Sequence, residues 1–365
     1  MKRPIAPLEA IKHFTYEGKL LDFTPYGSGL INSTYLAVTD CDGHVKKYIL
    51  QAINTSVFKD PQLLMNNILA VTSYLLLDAK DPRNVLTPVV TKEGHYFVRD
   101  KSGVCWRMYV YVEDSISINA PESKEDFYES GLAFGRFQHD LAEFPVNKLK
   151  ESIPDFHNTP KRFEALMKAV EEDVCGRVKE VKEELDFIMA RKDFCSCLLD
   201  ANKAGELPLR VSHNDTKINN VLFDRDTRKA VCVIDLDTVM PGFSVTDFGD
   251  AIRFGAATAP EDEPDLSKVN FDMELFATYT DGFLTGCGGS LPDSEIMLLP
   301  EGAKMMTFEC GIRFLTDYLS GDTYFKTTRK GHNLDRCRTQ MKLVAEMEKY
   351  WDDMKAVVKK YCKNK

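Results

Sequence analysis

No stretch of this 365-residue sequence approaches the roughly 18 consecutive apolar residues that a bilayer-spanning helix needs. The segment Met1 to Ala10 also lacks the apolar centre of an export signal. Both absences lead us to expect a cytoplasmic address and no membrane partner. Positive charge is in deficit, with 47 Lys and Arg against 56 Asp and Glu and a net charge of −9. General electrostatic attraction to nucleic acid or an anionic surface is therefore not expected, and any polyanion must be held locally. The 10 cysteines form neither a CxxC pair nor a zinc-ribbon spacing, so reduced thiols are expected. The 7 histidines contain no HExxH, which removes the commonest helical metal motif. G-K-[ST] is absent, which excludes a Walker A loop. Gly27-x-Gly29 has no third glycine and runs into a β-rich segment rather than a helix, which excludes a dinucleotide-binding fingerprint. There is no internal repeat and no low-complexity tract.

What is present suits a folded protein with a large core, at 44% hydrophobic and 28% charged residues. The length corresponds to about 2.4 average domains, so two packed units are expected. Ser33–Val38 and Lys47–Ile53 are β-rich runs separated by Thr39-Asp40-Cys41-Asp42-Gly43, a turn able to close a hairpin. Gln62–Leu77 carries Leu63, Leu64, Ile68, Val71 and Leu75 at helical spacing. Val85–Pro88, His95–Asp100 and Val104–Val112 read as further strands. A small antiparallel sheet with one helix accounts for residues 1–112. Beyond Glu113 the periodicity is helical in Lys124–Glu143, Lys161–Arg191 and Asn333–Tyr361, interrupted by the short strands Val221–Phe223 and Val231–Ile234 around the charged turn Asp224–Lys229. The expected class is α+β, a sheet-based amino-terminal part followed by a mainly helical one over residues 113–365.

Chemistry concentrates in Ser212-His213-Asn214-Asp215-Thr216-Lys217-Ile218-Asn219-Asn220, followed by Val233-Ile234-Asp235-Leu236-Asp237. The order His-x-Asp-x-Lys-x-x-Asn, hairpin, strand-end Asp is the set of parts that phosphoryl transfer needs. Asp215 is placed to orient or accept the proton of an attacking hydroxyl. Asn220 and Asp235 offer oxygen to a hard cation such as Mg²⁺, and Lys217 can meet charge on the transferred group. His213 reads as a residue that orders the loop.

These residues, with Pro241-Gly242 and Asp247-Phe248-Gly249-Asp250, resemble the aminoglycoside phosphotransferase and choline kinase superfamily. The resemblance implies a bilobal protein-kinase-like fold: a nucleotide-binding lobe over 1–112 and a catalytic, sugar-binding lobe over 113–365. The strings Asp235-Leu236-Asp237-Thr238-Val239-Met240-Pro241-Gly242 and Asp247–Gly255 are similar to a subgroup that phosphorylates the anomeric hydroxyl of GlcNAc or GalNAc with ATP. On that resemblance Asp215 is the base and Asn220 and Asp235 are the magnesium ligands. Asp237 is an accessory carboxylate, and Asp247 braces the catalytic loop. The Asp-Phe-Gly string is not the kinase metal motif, because Asp235 already fills that place.

Nucleotide contacts are expected from Gly27, Ser28, Gly29, Asn32 and Thr34, from Gln51, and from Met108 and Tyr109 in a connector beside the adenine. Met108 and Tyr109 are equally readable as core. Gln51 departs from the superfamily, which usually has lysine there to hold the α and β phosphates; either Lys46, Lys47 or Lys59 substitutes for it, or the amide itself suffices. Sugar contacts are expected from Asp215, Arg313, Tyr324 and Trp351. Arg313 could instead pair with Asp317 one turn on, and Trp351 could be packing in a terminal helix. Two other functions stay open: phosphorylation of a different alcohol (amino sugar, choline, homoserine or methylthioribose), and a catalytically silent nucleotide-binding protein. Oligomeric state is left open.

Overall fold

The computed structural model describes residues 7–27 and 32–363. It divides into two compact units. The first comprises residues 1–117, 147–154 and 222–240, and the second residues 118–146, 155–221 and 241–365. The first unit thus draws its residues from three stretches of chain, one of which carries Asp235 and Asp237.

The first unit begins with a short helix, α1 (Pro7–Ala10), and is built on a five-stranded antiparallel sheet. Its strands are β1 (Lys19–Pro25), β2 (Ser33–Cys41), β3 (His44–Ile53), β4 (Val98–Arg99) and β5 (Cys105–Val110), in the order β1-β2-β3-β5-β4. The expected hairpin joins β2 to β3: Cys41 pairs with His44 across Asp42 and Gly43 at φ 54° and 90°. Those angles fit the twist of two adjoining strands, and Asp-Gly is the dipeptide that tolerates them. Alternation sends Leu50, Trp106 and Met108 into an apolar cluster with Phe14, Ala37 and Tyr48. Each such side chain contributes on the order of 2 kcal/mol.

The expected helix is α2 (Pro61–Leu75). Asp60 caps it by accepting the N–H groups of Gln62 and Leu63, and Pro61 occupies the first turn, where a missing N–H does no harm. Two expected strands are reduced. Val85–Pro88 makes only the isolated bridges Val85 to Val233 and Pro88 to Tyr109, because proline has no N–H to continue a ladder. His95–Asp100 shrinks to β4. The unit is completed by β6 (Ser115–Ser117), which pairs antiparallel with β8 (Val221–Asp224), and by β9 (Ala230–Val233) beside β8.

The second unit contains α3 (Lys124–Asp140), α4 (Thr159–Glu172), α5 (Lys182–Met189), α6 (Cys197–Lys203), strand β7 (Arg210–Ser212) and α7 (Ser244–Gly255). It continues with α8 (Met273–Cys287), α9 (Asp293–Met297), α10 (Leu299–Leu319), α11 (His332–Lys349) and α12 (Trp351–Lys359). Helix α3 starts in a reciprocal cap: Ser123 Oγ accepts the Asp126 N–H and the Asp126 carboxylate accepts the Ser123 N–H. The single helix expected over Lys161–Arg191 is instead broken where Asp173 turns left-handed at φ 35°. The run Asn333–Tyr361 is broken at Tyr350, and Asp352 and Asp353 then sit in the first turn of the new helix, where the helix dipole favours acids.

A close approach sets the helices that matter most. A Cβ on Gly249 of α7 would lie 2.2 Å from the Gly302 carbonyl oxygen of α10, and one on Gly302 would lie 2.0 Å from that of Val245. The glycine of the Asp-Phe-Gly-Asp string is therefore a packing residue that lets α7 lie directly on α10. Around these helices Leu166, Phe308, Ile312, Leu315 and Val344 form one apolar core.

Candidate active site

In the second unit the chain reverses at Asn214, whose φ is 62°, an angle asparagine tolerates better than most side chains. The reversal alternates the loop that follows. His213, Asn214, Thr216 and Asn220 are buried, whereas Asp215 and Lys217 are 25% and 37% exposed. Asp215 is thus the accessible carboxylate of the loop, flanked by buried neighbours and paired with the more exposed Lys217. Its Oδ1 lies 2.6 Å from Lys217 Nζ. Asn220 Nδ2 donates to Asp215 Oδ2 at 3.0 Å and to its backbone oxygen at 2.7 Å. With the amide nitrogen spent on Asp215, the Asn220 Oδ1 is the end left to face a cation, a donor suited to Mg²⁺.

Helix α7 supports this loop. Asp247 accepts the backbone N–H groups of His213 and Asn214, each at 2.8 Å, and Gln138 Nε2–H at 2.9 Å. This is the bracing expected of it. Burial pushes the Asp247 carboxyl up to about 7, against the pull of the two amides. One turn on, Asp250 accepts the Thr216 N–H at 3.1 Å and pairs with Arg253 at 3.0 Å. Burial would raise the Asp250 pKa, but Arg253 and Lys217 outweigh it and hold it low. Burial would likewise lower Lys217, and Asp215 with Asp250 reverses the sign. Lys217 therefore keeps its charge. His213 is packed edge-on to Phe134 and Phe137, and its Nδ1 accepts the Asp215 N–H at 3.3 Å. It acts as a fixed part of the loop.

A second polar group in this unit joins α4 to α10. Glu309 accepts from Thr159 Oγ1 at 2.6 Å and lies 2.9 Å from His157 Nδ1. Burial would raise the Glu309 pKa, but His157 and Arg313 overcome it. Arg313 stacks near Phe156 and Phe325, at 5.8 and 5.5 Å. Burial, and then the charge of Arg313, pushes the Arg162 pKa down. Among the described residues no ion pair joins Arg313 to Asp317. Asp317 is occupied instead by the N–H groups of Thr323, Tyr324 and Phe325, at 2.9, 2.8 and 2.9 Å, and by Asn333 Nδ2 at 2.8 Å. This holds the turn that presents Tyr324, 66% exposed. Trp351 has different neighbours, Lys304 and Lys355 at 5.5 and 5.3 Å. Lys304 and Arg313 are separated by about 13 Å along α10.

In the first unit Asp235 stands at φ 59° before the short turn Leu236–Thr238. Asn67 of α2 fixes this segment by donating to the Val239 oxygen at 3.0 Å. Asp237 pairs with Arg107 of β5 and accepts Asn32 Nδ2–H at 2.7 Å. Arg107 donates Nε and Nη2 to Gln51 Oε1 at 3.1 and 2.9 Å, and Gln51 Nε2 donates to Thr34 Oγ1 at 3.1 Å. Asn32, Thr34, Gln51 and Asp237 are thereby drawn around one buried cation, which also feels the charge of Asp235. Met108 points the other way, into the apolar cluster, while Tyr109 lies against Arg107 at 5.2 Å. Gly27 is left-handed at φ 76°; Ser28 and Gly29 lie outside the described residues. Lys46 and Lys47 are paired with Glu17 and Glu113.

Sequence reasoning passed over Arg107, Arg162, His157 and Glu309. Arg107 left a signal, a charge inside the apolar run Cys105-Trp106-Arg107-Met108-Tyr109. Glu309 opens the segment Glu309–Tyr318 that resembles a sugar-pocket stretch of the subgroup, without being singled out in it; Arg162 and His157 left no signal, because only folding brings their segment to α10.

The model of the APH phosphotransferase enzyme family matches residues 22–279. Among solved structures, an aminoglycoside phosphotransferase from Alicyclobacillus acidocaldarius superposes with a TM-score of 0.64 at 12% identity, over 99% of this chain and 98% of that one. A microcompartment-associated aminopropanol kinase gives 0.58 at 16% identity, over 95% and 97%. A spectinomycin phosphotransferase in complex with ADP and spectinomycin gives 0.52 at 14% identity, over 89% and 91%. At these identities the likeness is one of fold, and it agrees with the expected antiparallel sheet followed by helices.

Proposed function

The chain belongs to the phosphotransferase enzyme family, and from that membership we propose that it transfers the γ-phosphoryl group of ATP to the anomeric hydroxyl of an N-acetylhexosamine. The product is GlcNAc or GalNAc 1-phosphate, and the activity is that of an N-acetylhexosamine 1-kinase. The observation that carries the reading is Asp215, an accessible carboxylate held by Lys217 and Asn220 between the buried residues His213, Asn214 and Thr216.

In this reading Asp215 orients the sugar O1 and takes up its proton as the O1–P bond forms and the bond to the ADP leaving group breaks. An anomeric hydroxyl is more acidic than an ordinary alcohol, so little proton abstraction is needed early. Positioning and charge neutralisation supply most of the rate. Lys217, kept protonated by Asp215 and Asp250, meets charge on the moving phosphoryl group. Asn220 and Asp235 are the proposed oxygen donors to magnesium, which when bound neutralises phosphate charge. Gly27, Ser28, Gly29, Asn32, Thr34, Gln51 and Tyr109 are the proposed nucleotide contacts; Met108, turned into the apolar cluster, is not among them. Arg313, Tyr324 and, more remotely, Trp351 are proposed for the sugar, with the exposed Tyr324 ring as a stacking face.

The positive charge of Arg313, felt by Arg162, supports a neutral or carbonyl-bearing acceptor over a quaternary amine, which would call for acidic and aromatic groups. The test is an acceptor screen with labelled ATP over GlcNAc, GalNAc, glucosamine, choline, homoserine and methylthioribose, followed by phosphorus NMR of the product. Phosphate on C1 of an N-acetylhexosamine is the expected result. Phosphate on C6, or turnover confined to choline, would overturn it. Nucleotide binding without turnover of any acceptor would favour a silent protein.

A further inference from the structure

Position 51 lacks the lysine that would hold phosphate, and its surroundings place a cation elsewhere. The pairings Thr34 to Gln51 and Gln51 to Arg107 align three side chains in one row across β2, β3 and β5. Strand alternation puts that row on the face opposite Leu50 and Met108. Arg107 has only 1% of its side chain exposed. A buried guanidinium is tolerable only when paired. Asp237 provides the pairing, and Asn32 holds Asp237 from its other oxygen.

Two further Arg107 donors, Nε and Nη2, converge on Gln51 Oε1, at 3.1 and 2.9 Å. An amide oxygen taken twice by a cation fixes which way the amide faces, and the NH₂ end must point away. One of its two N–H bonds goes to Thr34 Oγ1 at 3.1 Å. The other has no protein acceptor among the described residues. A donor polarised by a guanidinium behind it is a stronger donor than a free amide.

We infer that Gln51 gives this second N–H to an oxygen of the nucleotide's α or β phosphate, and that Arg107 is the positioning residue that aims the amide and supplies positive charge from one layer behind it. The inference rests on the nucleotide reading above. It explains why position 51 is not lysine: an ammonium there would take the Gln51 acceptor from Arg107 and set two cations against each other across β3 and β5. The sheet carries one cation in this row, moved from the third strand to the fifth.

The test is calorimetric titration of ADP and of adenosine, both with magnesium, into the full chain. Gln51→Ala should weaken ADP by about tenfold, the loss expected for one hydrogen bond to a charged oxygen, and leave adenosine unchanged. Gln51→Glu satisfies Arg107 but offers no N–H and adds a negative charge, so it should weaken ADP further. Arg107→Met should weaken ADP selectively, and Gln51→Lys with Arg107→Met should restore it by returning the cation to the third strand. If the Arg107 variants do not fold, the two Gln51 variants decide the matter. An ADP-to-adenosine affinity ratio that stays at the wild-type value in both Gln51 variants overturns the inference and leaves the nucleotide reading standing. Wild-type protein that binds neither ligand overturns that reading itself.

Discussion

Asp247 accepts the backbone N–H of Asn214 at 2.8 Å, so a carboxylate on helix α7 sets the pose of the residue that precedes Asp215. Burial pushes Asp247 up to about 7, whereas an unfolded aspartate ionises near pH 3.9. Between these values the folded chain holds a proton that the unfolded chain has released, so this group's contribution to stability falls as pH rises from about 4 to about 7. Asp247→Asn removes that contribution. Urea midpoints measured across this window should decline more steeply in the wild type than in the variant; parallel profiles would refute the assignment.

Asp215→Asn keeps the shape of the side chain and removes its basicity. Turnover should fall by roughly 10²- to 10⁴-fold, the usual scale for a lost general base, with ADP affinity nearly unchanged. Single-turnover kinetics beside an ADP titration separate the two effects. Near-normal turnover would show that another group handles the proton.

Asn220→Ala deletes both the proposed cation oxygen and the amide that holds the Asp215 carboxylate. The magnesium concentration giving half-maximal activity should rise by about tenfold or more, and added magnesium should recover only part of the rate, because Asp215 is also released. Full recovery at high magnesium would reduce Asn220 to a ligand alone.

Asp317→Ala leaves three backbone N–H groups and the Asn333 amide without their acceptor. The cost to stability is about 3 kcal/mol, in the range of lost buried bonds to a charged group. The acceptor KM should rise while ADP binding holds, because the freed turn carries Tyr324. Equal losses for both ligands would mean that the substitution acts on the whole unit.

Much of this was legible in the primary structure, for local reasons. Asp42-Gly43 encodes its turn through backbone angles few other dipeptides accept. The proposed catalytic loop is written in nine consecutive residues, and Asp247 could be named as its brace from its place in the chain. The breaks at Asp173 and Tyr350 were not legible, because the apolar period runs on through both and only the backbone angles stop the helix. Arg107 was hidden differently. Its meaning depends on register, which puts it opposite Gln51, and register is fixed by strand pairings between distant parts of the chain. The polar group on α4 and α10 was hidden by packing. His157 and Glu309 belong to segments whose spacing says nothing of each other.

The turn that presents Tyr324 is clamped through peptide hydrogens, which every residue except proline possesses. The clamp does not depend on which side chains stand at 323, 324 and 325. Exchanging them would recast the surface offered to an acceptor while Asp317 keeps its grip. At this corner of the proposed acceptor site, exchange of the exposed Tyr324 therefore leaves the peptide clamp on Asp317 and the proposed phosphoryl-transfer loop as they were.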